Sequence, residues 1–148
     1  MKNKLFFLYV AIVLFGCNES NKISINKLEG SPEYENAKLE IKNPTNYEDE
    51  YSFSFKIDQY ELGVQTLNEK ENELANSNKG QHIHFIVNNG PYSAHYSDNF
   101  KKKLDKGNNV ILAFLSRSYH ESVKNPNAYV LNQVGDGDKI DLTNQFLF

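Results

Sequence analysis

After residue 34, apolar and polar positions alternate with a period of two along most of the chain. Ala37, Leu39 and Ile41 alternate with Lys38, Glu40 and Lys42 until Asn43-Pro44 ends the run. Tyr51, Phe53, Phe55 and Ile57 alternate with Ser52, Ser54, Lys56 and Asp58. Successive side chains of an extended strand point to opposite faces, so each run predicts a half-buried strand. Residues 60–66 (YELGVQT) continue the alternation, with Gly63 placed for a bulge. Residues 110–115 (VILAFL) are apolar without a break, bounded by Gly107-Asn108-Asn109 and Ser116, which predicts a central strand covered on both faces. A further strand is predicted over 128–134. Only the polar stretch 68–80, with Glu69, Lys70, Glu71 and Glu73, favours a helical turn. Short strands with Asn, Gly and Pro punctuation and no long helix predict an all-β fold, an antiparallel immunoglobulin-like β-sandwich.

The most informative run is 81–97 (QHIHFIVNNGPYSAHYS), in which Asn88-Asn89-Gly90-Pro91 separates two alternating arms. Pro91 has no amide hydrogen, so a tight turn closed by its N–H is excluded. An open four-residue loop pairs Val87 with Tyr92, Phe85 with Ala94 and Ile83 with Tyr96. That register gathers these six residues on one apolar face and places His84 opposite His95, with His82, Ser93 and Ser97 beside them. A slip by one residue would turn Ser93 and His95 inward, at about 1–3 kcal/mol for each polar group left without a partner. Paired strand residues have Cβ atoms about 5 Å apart, so His82, His84 and His95 form a candidate zinc or copper site. The alternative is a polar sheet face whose imidazoles only hydrogen-bond or stack. Met1 is the only methionine, which excludes a methionine-based copper carrier.

The N-terminus carries a different signal. Lys2 and Lys4 precede an apolar stretch over 5–15 (LFFLYVAIVLF), too short to span a bilayer and suited to a signal peptide. Leu14-Phe15-Gly16-Cys17 follows with the pattern of a bacterial lipobox, although Phe15 is bulkier than that pattern prefers. Cys17 is the only cysteine, so no intramolecular disulfide can use it, and lipidation is the expected fate. The alternative is an ordinary secretory signal with a cysteine near its cut. Asn18 in place of Asp favours the outer membrane. The expected organisation is a signal peptide over 1–16, a polar tether over 17–33 and a β-sandwich over 34–148. The bare apolar ending Phe146-Leu147-Phe148 is either a docked last strand or the sign of a sandwich left incomplete at its C-terminal edge.

The net charge of −3 becomes more negative once Lys2 and Lys4 leave, which argues against a nucleic-acid partner. Lys101-Lys102-Lys103 is the one basic run, expected as a solvated turn. Arg117 is the only arginine, so in Ser116, Arg117, Ser118, Tyr119 and His120 it is the candidate to grip a carboxylate or phosphate. Pairing with Glu121 is the structural alternative. Asp136, Asp138 and Asp141 resemble a calcium loop only superficially, because Ile140 takes a ligand position and the distal Glu is missing. No nucleophile-elbow, phosphate-loop or catalytic-cysteine motif is present.

The segments YELGVQT, GQHIHFIV and LSRSYHES resemble a group of uncharacterised cell-envelope lipoproteins of Gram-negative bacteria, some labelled phosphopeptide-binding protein. The similarity runs over about residues 28–148. It implies lipid anchoring and an all-β fold, and brings no catalytic residues. Those relatives continue into a second β-domain beyond the position of Asp141-Leu142. The function expected from residues and resemblance together is a non-enzymatic, envelope-anchored module that binds a peptide, a phosphorylated ligand or another anion without a cofactor. The alternatives are a zinc- or copper-binding protein, a metal-dependent hydrolase, or a truncated relic without activity.

Overall fold

A computed structural model describes residues 31–67 and 75–142. The lipobox with Cys17, the acidic stretch 68–74 and the C-terminal apolar triplet lie outside the described residues. Eight strands form two antiparallel sheets: β1 (Lys38–Ile41), β2 (Thr45–Tyr47), β3 (Glu50–Asp58), β4 (His82–Val87), β5 (Ser93–His95), β6 (Asn99–Lys103), β7 (Asn109–Ser116) and β8 (Tyr129–Val134). One sheet is built on β3, which pairs with β1, β2 and β6; the other runs β5-β4-β7-β8. No helix occurs among the described residues, and none there is long and apolar enough to cross a membrane.

The two sheets share one apolar interior, as expected for a β-sandwich. Leu39 of β1 and Phe53 and Phe55 of β3 meet Ile83 and Phe85 of β4 and Ile111, Ala113 and Leu115 of β7. Each of the large side chains contributes about 1.5–3 kcal/mol by leaving water. Phe85 packs edge-on to Phe53, Phe55 and Phe100, which suits the ring quadrupoles.

Three details differ from the sequence expectation. The lysine run forms β6, where Phe100 turns inward beside Phe53 and Phe55 while Lys101 and Lys103 pair with Glu50 and Asp49. Residues 60–66 form a loop rather than a strand, tied to Gln81 by Gly63 N–H to Gln81 O and Gln81 N–H to Val64 O. Strand β7 is central, yet only one of its faces is sealed; Val110, Leu112 and Phe114 are half-buried.

The main correction concerns the β4–β5 register. Ile83 pairs with His95, His84 with Ala94 and Phe85 with Ser93. This is the parity that the burial argument rejects, and the reason lies in the turn. Asn88 and Asn89 both adopt left-handed φ, 50° and 60°, and Gly90 N–H closes onto Val87 O at 2.9 Å. Such a two-residue turn matches strand twist and accepts Asn at both positions. The donor is Gly90, so the missing amide of Pro91 is no obstacle, and one residue is left over between turn and ladder. The Asn88 side chain anchors the turn to β7 by accepting from Val110 N–H and donating to Asn109 Oδ1.

Candidate metal centre

The slip sorts the histidines onto opposite faces of the sheet. Ser93 and His95 face the interior beside Ile83 and Phe85, where they satisfy each other: Ser93 Oγ lies 2.9 Å from His95 Nε2 and donates to Phe85 O. His95 stacks on Phe100 with ring centroids 3.5 Å apart. The penalty for unpartnered groups therefore does not arise, because β5 is a short, half-buried edge strand that supplies its own partner. His95 accordingly does not join His82 and His84. Burial pushes its pKa down to about 4, and Lys102 adds to the shift.

His82 and His84 lie on the outer face of β4, two residues apart along the strand. Both are buried nonetheless. Tyr96 tilts against His82 at 5.0 Å between centroids; Tyr92 stacks on His84 at 4.0 Å, and Phe114 meets it edge-on at 5.1 Å. Tyr92 and Tyr96 reach this face through the same slip that sends His95 inward.

The third histidine is His120, from the β7-to-Ser122 hairpin. Its ring centroid lies 5.1 Å from that of His82 and 5.8 Å from that of His84. Donor atoms of His82, His84 and His120 all lie within 4.8 Å of one another. His120 is exposed and closes the cluster from the solvent side. Its φ is 68°, in the left-handed region that residues other than glycine seldom enter. The turn beneath it is tightly held: His120 N–H bonds to Arg117 O, and Arg117 N–H bonds to Glu121 O.

Hydrogen bonding sets the direction of the buried rings. Gly80 O accepts from Nδ1–H of His82 at 2.8 Å, because a carbonyl can only accept. That leaves the lone pair of His82 Nε2 aimed at Nε2 of His84, also 2.8 Å away. A carbonyl on the remote ring nitrogen is the usual second partner of a metal-ligating imidazole. Gly80 has φ 84°, and a Cβ there would meet Val64 O at 2.4 Å, so glycine alone fits this approach. Burial lowers the pKa of His82, with the Gly80 bond opposing and His120 reinforcing the shift. Burial pushes His84 down to about 4, helped by His82 and His120. Both rings are therefore neutral at physiological pH, the form that binds a metal ion.

The segment around Arg117 is arranged differently from the sequence expectation of an exposed anion grip. Ser116, Arg117, Ser118 and Tyr119 are buried, and only His120 of that set reaches solvent. The Arg117 guanidinium donates from Nε and Nη2 to Pro32 O and from Nη1 to Ser122 O at 2.8 Å. It also lies 3.8 Å from Glu121 and 5.6 Å from the Tyr34 ring centroid. Its fork is spent on protein carbonyls, which makes it a staple between the 31–37 segment and the His120 turn.

His120 entered the sequence reading as part of an anion-binding segment; its place beside the His-x-His pair comes from the hairpin after β7, which spacing alone does not reveal. Comparison of the chain with known protein families, curated proteins and solved structures finds no match.

Proposed function

We infer that this chain is a binding protein for a divalent transition metal, zinc or copper, held by Nε2 of His82, Nε2 of His84 and a ring nitrogen of His120. The observation that carries this reading is the Gly80–His82–His84 chain of contacts. It brings two imidazole nitrogens within 2.8 Å of each other, with a donor atom of a third histidine close by in a left-handed turn. For both Nε2 atoms to serve as ligands, the hydrogen on His84 Nε2 would move to its Nδ1 through solvent, leaving the ring neutral.

Binding rather than hydrolysis is favoured because the cluster contains three histidines and, among the described residues, no carboxylate to act as a general base. Anchoring through Cys17 to the outer membrane is the location the lipobox supports, so the site would work in the cell envelope. The peptide- or anion-binding alternative loses its main donor, since the single arginine is engaged internally.

The test is a thermal melt of the full chain with and without Zn²⁺ or Cu²⁺. One-site linkage gives about 2.7 kcal/mol of stabilisation at a hundredfold excess over the dissociation constant. That stabilisation should vanish in a His84→Ala, His120→Asn double variant and persist in His95→Leu. No shift with either metal at high micromolar concentration ends the reading.

A further inference from the structure

Strand β6 stops short of the end of β3. The last ladder pair is Ser54 with Asn99, and Phe55 N–H still bonds to Asp98 O at 2.8 Å. Continuing that register would set Lys56 opposite Ser97 and Ile57 opposite Tyr96. Tyr96 instead crosses to the other sheet and packs on His82, 5.0 Å away between centroids. Beyond Asp58 the chain turns off at Gln59, whose φ is 53°. The side of β3 from Lys56 to Asp58 that faces away from β1 is therefore an uncovered stretch of sheet edge.

Its backbone groups can be assigned by alternation, since a strand residue directs its N–H and C=O to the same side and its neighbours direct theirs to the other. Phe55 bonds towards β6, so Ile57 points there too. The opposite side agrees: Leu39 is the β1 partner of Ile57, yet Leu39 N–H turns away to Asn127 O. Among the described residues no hydrogen bond reaches the N–H or C=O of Ile57. The outer edge of β6 is longer, but its exposed Lys101 and Lys103 blunt it in the usual way.

The notch opens into a cavity of about 560 Å³, a size that suits a binding site. Phe55, Ile57 and Leu62 supply its apolar lining, and Lys42 and Lys56 its cations. We propose that this notch docks an extended segment of a partner protein, which adds to the sheet in line with β6. One residue of that segment exchanges both backbone bonds with Ile57 and turns its side chain inward, so it is apolar. Its neighbour, opposite Lys56, faces outward and is acidic. Lys56 already pairs with Glu40 and Asp58, whereas Lys42 has no carboxylate partner among the described residues and is left to receive the new one. Recognition of this kind runs through the backbone and needs no arginine; it is independent of the histidine cluster.

The experiment follows the backbone amides of the ¹⁵N-labelled full chain by nuclear magnetic resonance, with acetyl-Glu-Val-Glu-Val-Glu-amide as the probe. Before addition, the Ile57 amide should exchange with solvent at least tenfold faster than that of Phe53, which lies in the ladder. The probe should shift the Ile57 amide most and slow its exchange. Methylating the valine nitrogens of the probe removes the donor to Ile57 O and should weaken binding about tenfold, the scale of one lost hydrogen bond. Lys42→Glu should weaken the same probe about threefold and favour acetyl-Lys-Val-Lys-Val-Lys-amide. An Ile57 amide as protected as that of Phe53 shows a closed edge and overturns the proposal. So does the absence of shifts at millimolar probe, a response centred away from Ile57, or equal binding of the methylated probe.

Discussion

Thr66 and Ser118 exchange a reciprocal pair of hydrogen bonds: Thr66 N–H donates to Ser118 Oγ at 3.1 Å, and Ser118 N–H donates to Thr66 Oγ1 at 2.9 Å. Both residues are fully buried. The Thr66 hydroxyl also donates to Gln81 Oε1, which accepts from Tyr34 as well. One side chain thus ties the 60–66 loop to the residue before His82 and to the turn that carries His120. Thr66→Val leaves Ser118 N–H buried without an acceptor and should cost about 1–3 kcal/mol. Urea denaturation should show a lower midpoint at unchanged slope, and metal affinity should fall with it because His120 loses its support.

His120 holds a left-handed backbone that costs an L residue about 1–2 kcal/mol. His120→Gly should therefore stabilise the metal-free protein by about 1 kcal/mol while removing the metal response. Melting curves recorded with and without Cu²⁺ would show the two effects moving in opposite directions. A histidine placed only for stability would give a loss in the first measurement.

Arg117→Leu strips acceptors Pro32 O and Ser122 O of their donor in a buried setting, and should destabilise by about 2–4 kcal/mol. Arg117→Lys should recover little, because an ammonium lacks the planar fork that spans both carbonyls. Chemical denaturation of the two variants checks this, and their phosphate affinity should be indistinguishable from that of the parent.

Acid should weaken the fold through its buried imidazoles. His95 has an ordinary value near 6.5 when unfolded and about 4 when folded, so between these values the unfolded chain binds a proton that the fold refuses. Stability is complete above pH 6.5 and declines as pH falls towards 4. His82 and His84 are shifted in the same direction and add to the decline. His95→Leu should keep a contact with Phe100 and flatten part of the slope. Denaturation midpoints measured from pH 7 to pH 4 in metal-free buffer test it.

Strands β1 and β3 were legible in the period-two pattern, because one buried face leaves a clear mark, whereas β7 showed as an unbroken apolar run. Strand β6 was hidden by three lysines, two of which point outward to carboxylates on β3 and β2–β3. The His-x-His pair was legible as a candidate ligand set. Its third member was not, since binary patterning could not tell that Gly90 rather than Pro91 closes the turn, or that Ser93 partners His95 inside. A one-residue shift in the hairpin exchanged His95 for Tyr92 and Tyr96 on the face of the pair. Further cover for that face came from His120 in the 117–120 turn, which local periodicity does not describe.

The guanidinium of Arg117 also makes the hairpin a mechanical junction. Tension applied to the chain upstream of Ser31 would be carried first across the Ser31–Glu121 and Pro32–Arg117 bonds, which flank His120. A pull at the N-terminal side would therefore be felt at the His120 backbone, so load on the chain and the placing of that ring would pass through the same few peptide units.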